Sequence, residues 1–101
     1  MKYLTAFPDY PEPLPEIEGF KDISFKDDIC PSLGKEIEPD IYLTLFCDYP
    51  DSKMRECGGF RYKLFIQDIG RDDFLCVTDN LEEMKYFIYG YLKGIEKCTN
   101  P

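Results

Sequence analysis

The chain has 101 residues, 44% hydrophobic and 16% aromatic, with 20 acidic residues against 12 basic ones and a formal net charge of -8. A chain of this length supports one hydrophobic core, and its aromatic content excludes a disordered polymer. The charge excludes direct binding to a nucleic-acid backbone, and no apolar run reaches the roughly 18 residues that a membrane-spanning helix needs.

Residues 1–39 are rich in proline and acid: Pro8, Pro11, Pro13 and Pro15 fix φ and remove backbone donors, which predicts an extended arm. Phe7, Tyr10, Leu14 and Ile17 give that arm an apolar side with which to lie across the rest of the protein. Phe20, Ile23 and Phe25 predict a short edge strand, and Cys30-Pro-Ser-Leu-Gly34 reads as a turn.

From residue 40 the period becomes two. Ile41, Leu43, Leu45 and Cys47 alternate with Tyr42, Thr44, Phe46 and Asp48; Phe60, Tyr62, Leu64 and Ile66 alternate with Arg61, Lys63, Phe65 and Gln67. Two antiparallel strands follow, the second with a basic polar face. Ile69-Gly-Arg-Asp72 reads as a short turn and Phe74-Leu-Cys-Val-Thr78 as a third strand. Asp79, with Glu82 three residues on, has the spacing of a capping box, and Leu81, Met84, Ile88, Leu92 and Ile95 recur at helical spacing to about residue 96.

The expected fold is therefore α+β: a three- or four-stranded, mainly antiparallel sheet, with β-β-β-α order in residues 40–96, one C-terminal helix, and a Pro-rich N-terminal arm. The expected organisation is a single domain over residues 1–101, with the arm at 1–39 and the core at 40–101.

Histidine is absent, which removes Ser-His and Cys-His nucleophile activation and every histidine metal ligand. Neither standard phosphate-cradling loop is present. The five cysteines, Cys30, Cys47, Cys57, Cys76 and Cys98, include no C-x-x-C pair and read as mostly buried thiols in a cytoplasmic protein. Cys57 lies near Lys53, Arg55 and Arg61, cations that lower a thiol pKa. Its place between two strands, beside Gly58-Gly59, favours a long hairpin connection in which Arg55 and Arg61 are available for binding. Adjacent carboxylates such as Asp27-Asp28 and Asp72-Asp73 lack calcium-loop spacing and are expected in a chain with 20 acids.

These readings argue against an enzyme, which would have to use carboxylates or Cys57, and against a cofactor, and predict a binding protein whose charge draws a basic protein partner through long-range attraction. The predicted contact residues are Asp9, Tyr10, Glu12, Glu16, Glu18, Asp27, Asp28, Asp72 and Asp73, with Tyr86 and Tyr89 from the aromatic helix. In size, acidity and lack of catalytic apparatus the chain resembles immunity proteins of bacterial toxin systems and phage-encoded inhibitors of host defence nucleases, in character rather than by a matched motif. That resemblance implies inhibition or neutralisation of the partner, with nucleic-acid mimicry as one form. The alternative is an accessory subunit held in an assembly, or to a second copy of itself, by the aromatic helix.

Overall fold

The computed structural model describes residues 2–55 and 59–99, apart from the side chains of residues 96–99. Its elements in chain order are helix α1 (Lys2–Ala6), strands β1 (Lys21–Asp22), β2 (Ser32–Glu38) and β3 (Ile41–Cys47), a 3-10 turn (Ser52–Met54), strands β4 (Tyr62–Asp68) and β5 (Arg71–Thr78), and helix α2 (Leu81–Thr99). The fold is α+β. All strand pairs are antiparallel and the sheet order is the chain order, β1-β2-β3-β4-β5.

The period-two pattern of β3 and β4 sets their register, with Leu45 opposite Leu64 and Cys47 opposite Tyr62. Leu33, Leu43, Leu45, Leu64, Tyr62 and Cys47 then face the same way and form the main core with Met84 and Ile88 of α2 and with Ile17. Met84 and Ile88 are one helical turn apart, so α2 buries a single stripe on the sheet.

Five strands form, not three or four. Residues 32–38 belong to the sheet rather than to an arm: Leu33 pairs with Leu45 and Lys35 with Leu43. The expected turn at Cys30–Gly34 is therefore half strand. At Gly34 a Cβ would stand 2.5 Å from Cδ1 of Ile23, which lies across β2 at that point, so any larger residue there requires the Ile23 side chain to shift. The expected strand over Phe20, Ile23 and Phe25 contracts to Lys21–Asp22, with one further bond from Ile23 N–H to the Ser32 carbonyl. The N-terminal residues 2–6 are helical rather than extended, and the Tyr3 amide is held by Asp22 Oδ2 at 2.9 Å.

The β4–β5 turn is tighter than predicted, with Gly70 at φ 73° and Arg71 and Asp72 already in β5. Leu75 is an extra residue in β5, since Cys76 pairs with Leu64 and Phe74 with Phe65. Helix α2 is capped by Asn80, whose Oδ1 accepts the Glu83 amide at 3.0 Å, and not by Asp79. The Asp79 carboxylate instead accepts the Arg61 amide at 2.9 Å.

A second cluster consists of Tyr3, Phe7, Tyr10 and Tyr49, with the Tyr10 and Tyr49 rings 5.2 Å apart. It fastens the N-terminal residues to the chain just beyond β3. The Tyr10 hydroxyl donates to the Asp48 carbonyl at 3.3 Å. Burial pushes the Tyr10 phenol up to about 12, against the opposing pull of the Arg61 guanidinium, and burial with the bond to Asp9 raises Tyr49 as well. A raised phenol favours the neutral form in the folded state, so this contribution is complete below the unfolded value near 10 and is lost as pH rises toward 12. Melting temperature is expected to fall across that window, and Tyr10→Phe to flatten part of the fall, as followed by circular dichroism at each pH. An unchanged alkaline profile in Tyr10→Phe would show that the Tyr10 phenol does not contribute.

Candidate functional site

The helix and Ile17 cover one face of the sheet, and the other carries Phe46, Phe65 and Phe74 on three adjacent strands. Their rings stand edge to face at 5.7 and 5.8 Å, and Phe74 is 57% exposed. The outward side of β4 is therefore mixed rather than basic, with Lys63, Phe65 and Gln67 in turn. Lys63 is its strand-borne cation, while Arg61 precedes the strand and is paired with Glu12 and set over the Tyr62 ring.

At one end of this face two loops and the N-terminal segment meet. The loop from residue 23 to residue 31 is pinned at its base by Ser24, whose Oγ accepts the Ser32 amide at 3.1 Å and whose own amide donates to Asp22 Oδ1 at 3.0 Å. A turn closed by Asp28 N–H on the Phe25 carbonyl then presents Asp27, Asp28 and Ile29. The β3–β4 connection presents Met54, on the 3-10 turn capped by Asp51. Asp9 arrives from the N-terminal segment and accepts the Tyr49 hydroxyl at 2.7 Å.

Asp9, Asp27, Asp28, Ile29, Tyr49 and Met54 line an open depression of about 420 Å³. Ile29 and Met54 are each 46% exposed, so the depression offers apolar surface beside its carboxylates. The Asp28 carboxyl is raised, first by partial burial and then by the neighbouring charge of Asp27. Among the described residues no Lys or Arg forms an ion pair with Asp27 or Asp28.

Asp28 and Ile29 also border a second cavity of about 290 Å³, lined further by Cys30, Phe46, Asp48, Lys63 and Phe65. Asp48 is 2% exposed; its Oδ1 accepts the Tyr49 amide at 2.8 Å and its Oδ2 lies 3.8 Å from Lys63 Nζ.

Three of the expected contact residues thus converge: Asp9, Asp27 and Asp28. Asp72 and Asp73 stand toward the far end of the sheet, where Asp72 pairs with Gln67, four residues along β4 from Lys63 or about 13 Å at strand rise. Asp73 is engaged by Arg71 at 3.1 Å. Glu16 and Glu18 flank the buried Ile17 on the helix-covered side, and Glu12 is occupied by Arg61. Tyr10 is buried and is a core residue rather than a surface contact. Tyr86 and Tyr89 are exposed on the outer side of α2; Tyr86 borders a shallow groove between α2 and β5.

Arg55 and Arg61 are not free for a partner. Arg55 binds the carbonyls of Tyr49, Pro50 and Gly59, and Arg61 is held by Glu12. Cys30 and Cys47 are buried and Cys76 is half-buried; burial pushes the Cys47 and Cys76 thiols up, away from the thiolate. Cys57 and the side chain of Cys98 lie outside the described residues.

Sequence reasoning overlooked Ile29, Met54, Phe46 and Phe65 as functional candidates. The period-two pattern did put Phe46 and Phe65 opposite the core face, which was the available signal; Ile29 and Met54 sit in loops without periodicity. Among the described residues no helix is long and apolar enough to cross a membrane, and no group of three or more Cys, Asp or Glu side chains is arranged to hold a metal. Comparison of the chain with protein-family models, with curated proteins and with solved structures finds no match.

Proposed function

We propose that this protein is a small binding protein that captures and neutralises a basic protein partner, acting by occupancy rather than by chemistry. The observation that carries the reading is the convergence of Asp9, Asp27 and Asp28 beside exposed Ile29 and Met54. The carboxylates steer a cationic surface into contact, and the apolar side chains beside them supply the desolvated area that slows its release. A net charge of -8 extends the attraction beyond the site itself. The reading sets this encounter in the cytoplasm, with the partner a nuclease or toxin-like protein whose active surface the complex covers.

The test is a tagged pull-down from the native host at low and high salt. A basic protein released by salt is the expected result. Replacing Asp9, Asp27 and Asp28 together by Asn is expected to weaken its retention at least tenfold, whereas Asp72→Asn with Asp73→Asn leaves it within about twofold. Equal losses from the two sets would reject this site. A complex that resists salt and is lost on replacing Tyr86 and Tyr89 would instead support the accessory-subunit reading, which rests on the exposure of those two rings, 84% and 49%.

A further inference from the structure

The cavity beside the acidic depression has a shape and charge that select a particular side chain. At about 290 Å³ it lies at the lower limit of small-molecule sites, which span roughly 300–1,000 Å³, and so suits one side chain better than a cofactor. Two carboxylates, Asp28 and Asp48, face one ammonium, Lys63. Lys63 serves Asp48, whose other oxygen is already bonded to a backbone amide. Asp28 has no such cation among the described residues and has Asp27 beside it, so the cavity lining retains uncompensated negative charge.

The walls discriminate between cations. Phe46 and Phe65 offer aromatic surface, and a guanidinium stacks on such rings and gives up its weak hydration more readily than a compact ammonium does. A guanidinium can also meet a carboxylate with two parallel N–H bonds.

We propose that this cavity receives an arginine side chain of the protein partner, its guanidinium bound by the Asp28 carboxylate and packed against Phe46 and Phe65. The proposal rests on the reading of a basic partner and names the residue by which that partner is anchored. Ile29 lies in both the cavity and the depression, so the anchored arginine joins the acidic depression to the aromatic sheet face.

The experiment titrates isotope-labelled protein with the tripeptide acetyl-Gly-Arg-Gly-amide and follows chemical shifts, with citrulline and lysine versions as controls. Saturable shifts are expected at Asp28, Ile29, Cys30, Phe46 and Phe65. The citrulline peptide, which keeps the shape and loses the charge, is expected to give none, and the lysine peptide to bind several-fold more weakly. Asp28→Asn is expected to weaken the arginine peptide by roughly tenfold, equivalent to about 1.4 kcal/mol. Ile29→Trp, at an exposed position, narrows the cavity and is expected to abolish binding with the rest of the spectrum preserved.

Citrulline binding as well as arginine would overturn the proposal in favour of a plain apolar slot. Shifts as large at Asp72, Asp73 and Glu82 as at Asp28 would overturn it in favour of diffuse charge attraction, and the absence of saturable shifts at millimolar peptide would overturn it outright. The readout needs no partner protein. A salt-sensitive basic partner that Asp28→Asn and Ile29→Trp still retain in full would leave the proposed function standing and reject the arginine site.

Discussion

Replacing Leu45 by alanine is expected to cost about 3–4 kcal/mol of folding free energy, the largest effect of any single truncation considered. Leu45 is fully buried on the central strand, paired with Leu33 on one side and Leu64 on the other. It belongs to the cluster that includes Met84 and Ile88, so its removal opens a cavity between sheet and helix that neighbours on three strands cannot fill by rotating alone. A domain of this size commonly has about 5–15 kcal/mol in total, and the loss is a large share of it. Urea unfolding measures it, with an unchanged slope showing that the unfolded reference is the same. Ile69→Ala, at the exposed β4–β5 turn, is the matched control and is expected to stay within about 0.5 kcal/mol. A loss below about 1 kcal/mol at Leu45 would mean that the core is not continuous there.

Arg55→Met is the second large effect, expected at about 3 kcal/mol, because the substitution keeps the apolar stem and removes the guanidinium. Nε donates to the Tyr49 carbonyl at 2.7 Å, Nη2 to Pro50 at 3.0 Å, and Nη1 to Gly59 at 2.6 Å, with Asp79 Oδ1 3.4 Å away. The side chain is 8% exposed, and losing its bonds leaves the part-buried Tyr49 and Pro50 carbonyls without this donor. Arg55→Lys is expected to recover little, since one ammonium cannot reproduce a fork spread over three carbonyls. Tyr49 and Met54 belong to the same connection and line the acidic depression, so partner retention should fall along with stability. Amide exchange at residues 49–55 separates the two consequences: faster exchange locates the loosening in the connection. Unchanged exchange and stability would show that the loop is held by something else.

The legibility of this chain follows the source of each signal. Strands β3 and β4 were legible because one face is buried and the alternation of Leu43, Leu45, Leu64 and Ile66 records it directly. Strand β2 was hidden because Gly34 stands within it, and the Ile23 side chain that crosses that position is distant in sequence. The helix start was off by one residue because two adjacent side chains, Asp79 and Asn80, can both cap, and the choice is made by the Arg61 amide, which is distant in sequence. Charge pattern alone gave Asp9, Asp27 and Asp28 the same standing as Glu12 and Asp73. What separates them is pairing: Arg61 and Arg71 engage the latter two, and the return of the loop bearing Asp27 and Asp28 to the side of Tyr49 brings the former three together.

The two borders of the sheet bear on whether another chain can extend it. β1 is only two residues long, and β5 opens with Arg71-Asp72-Asp73 and is interrupted by the extra residue Leu75. Short, charged and bulged edges are poor templates for another strand. At β1 and β5 a further strand is therefore poorly templated, which favours recognition through side chains on the faces and loops.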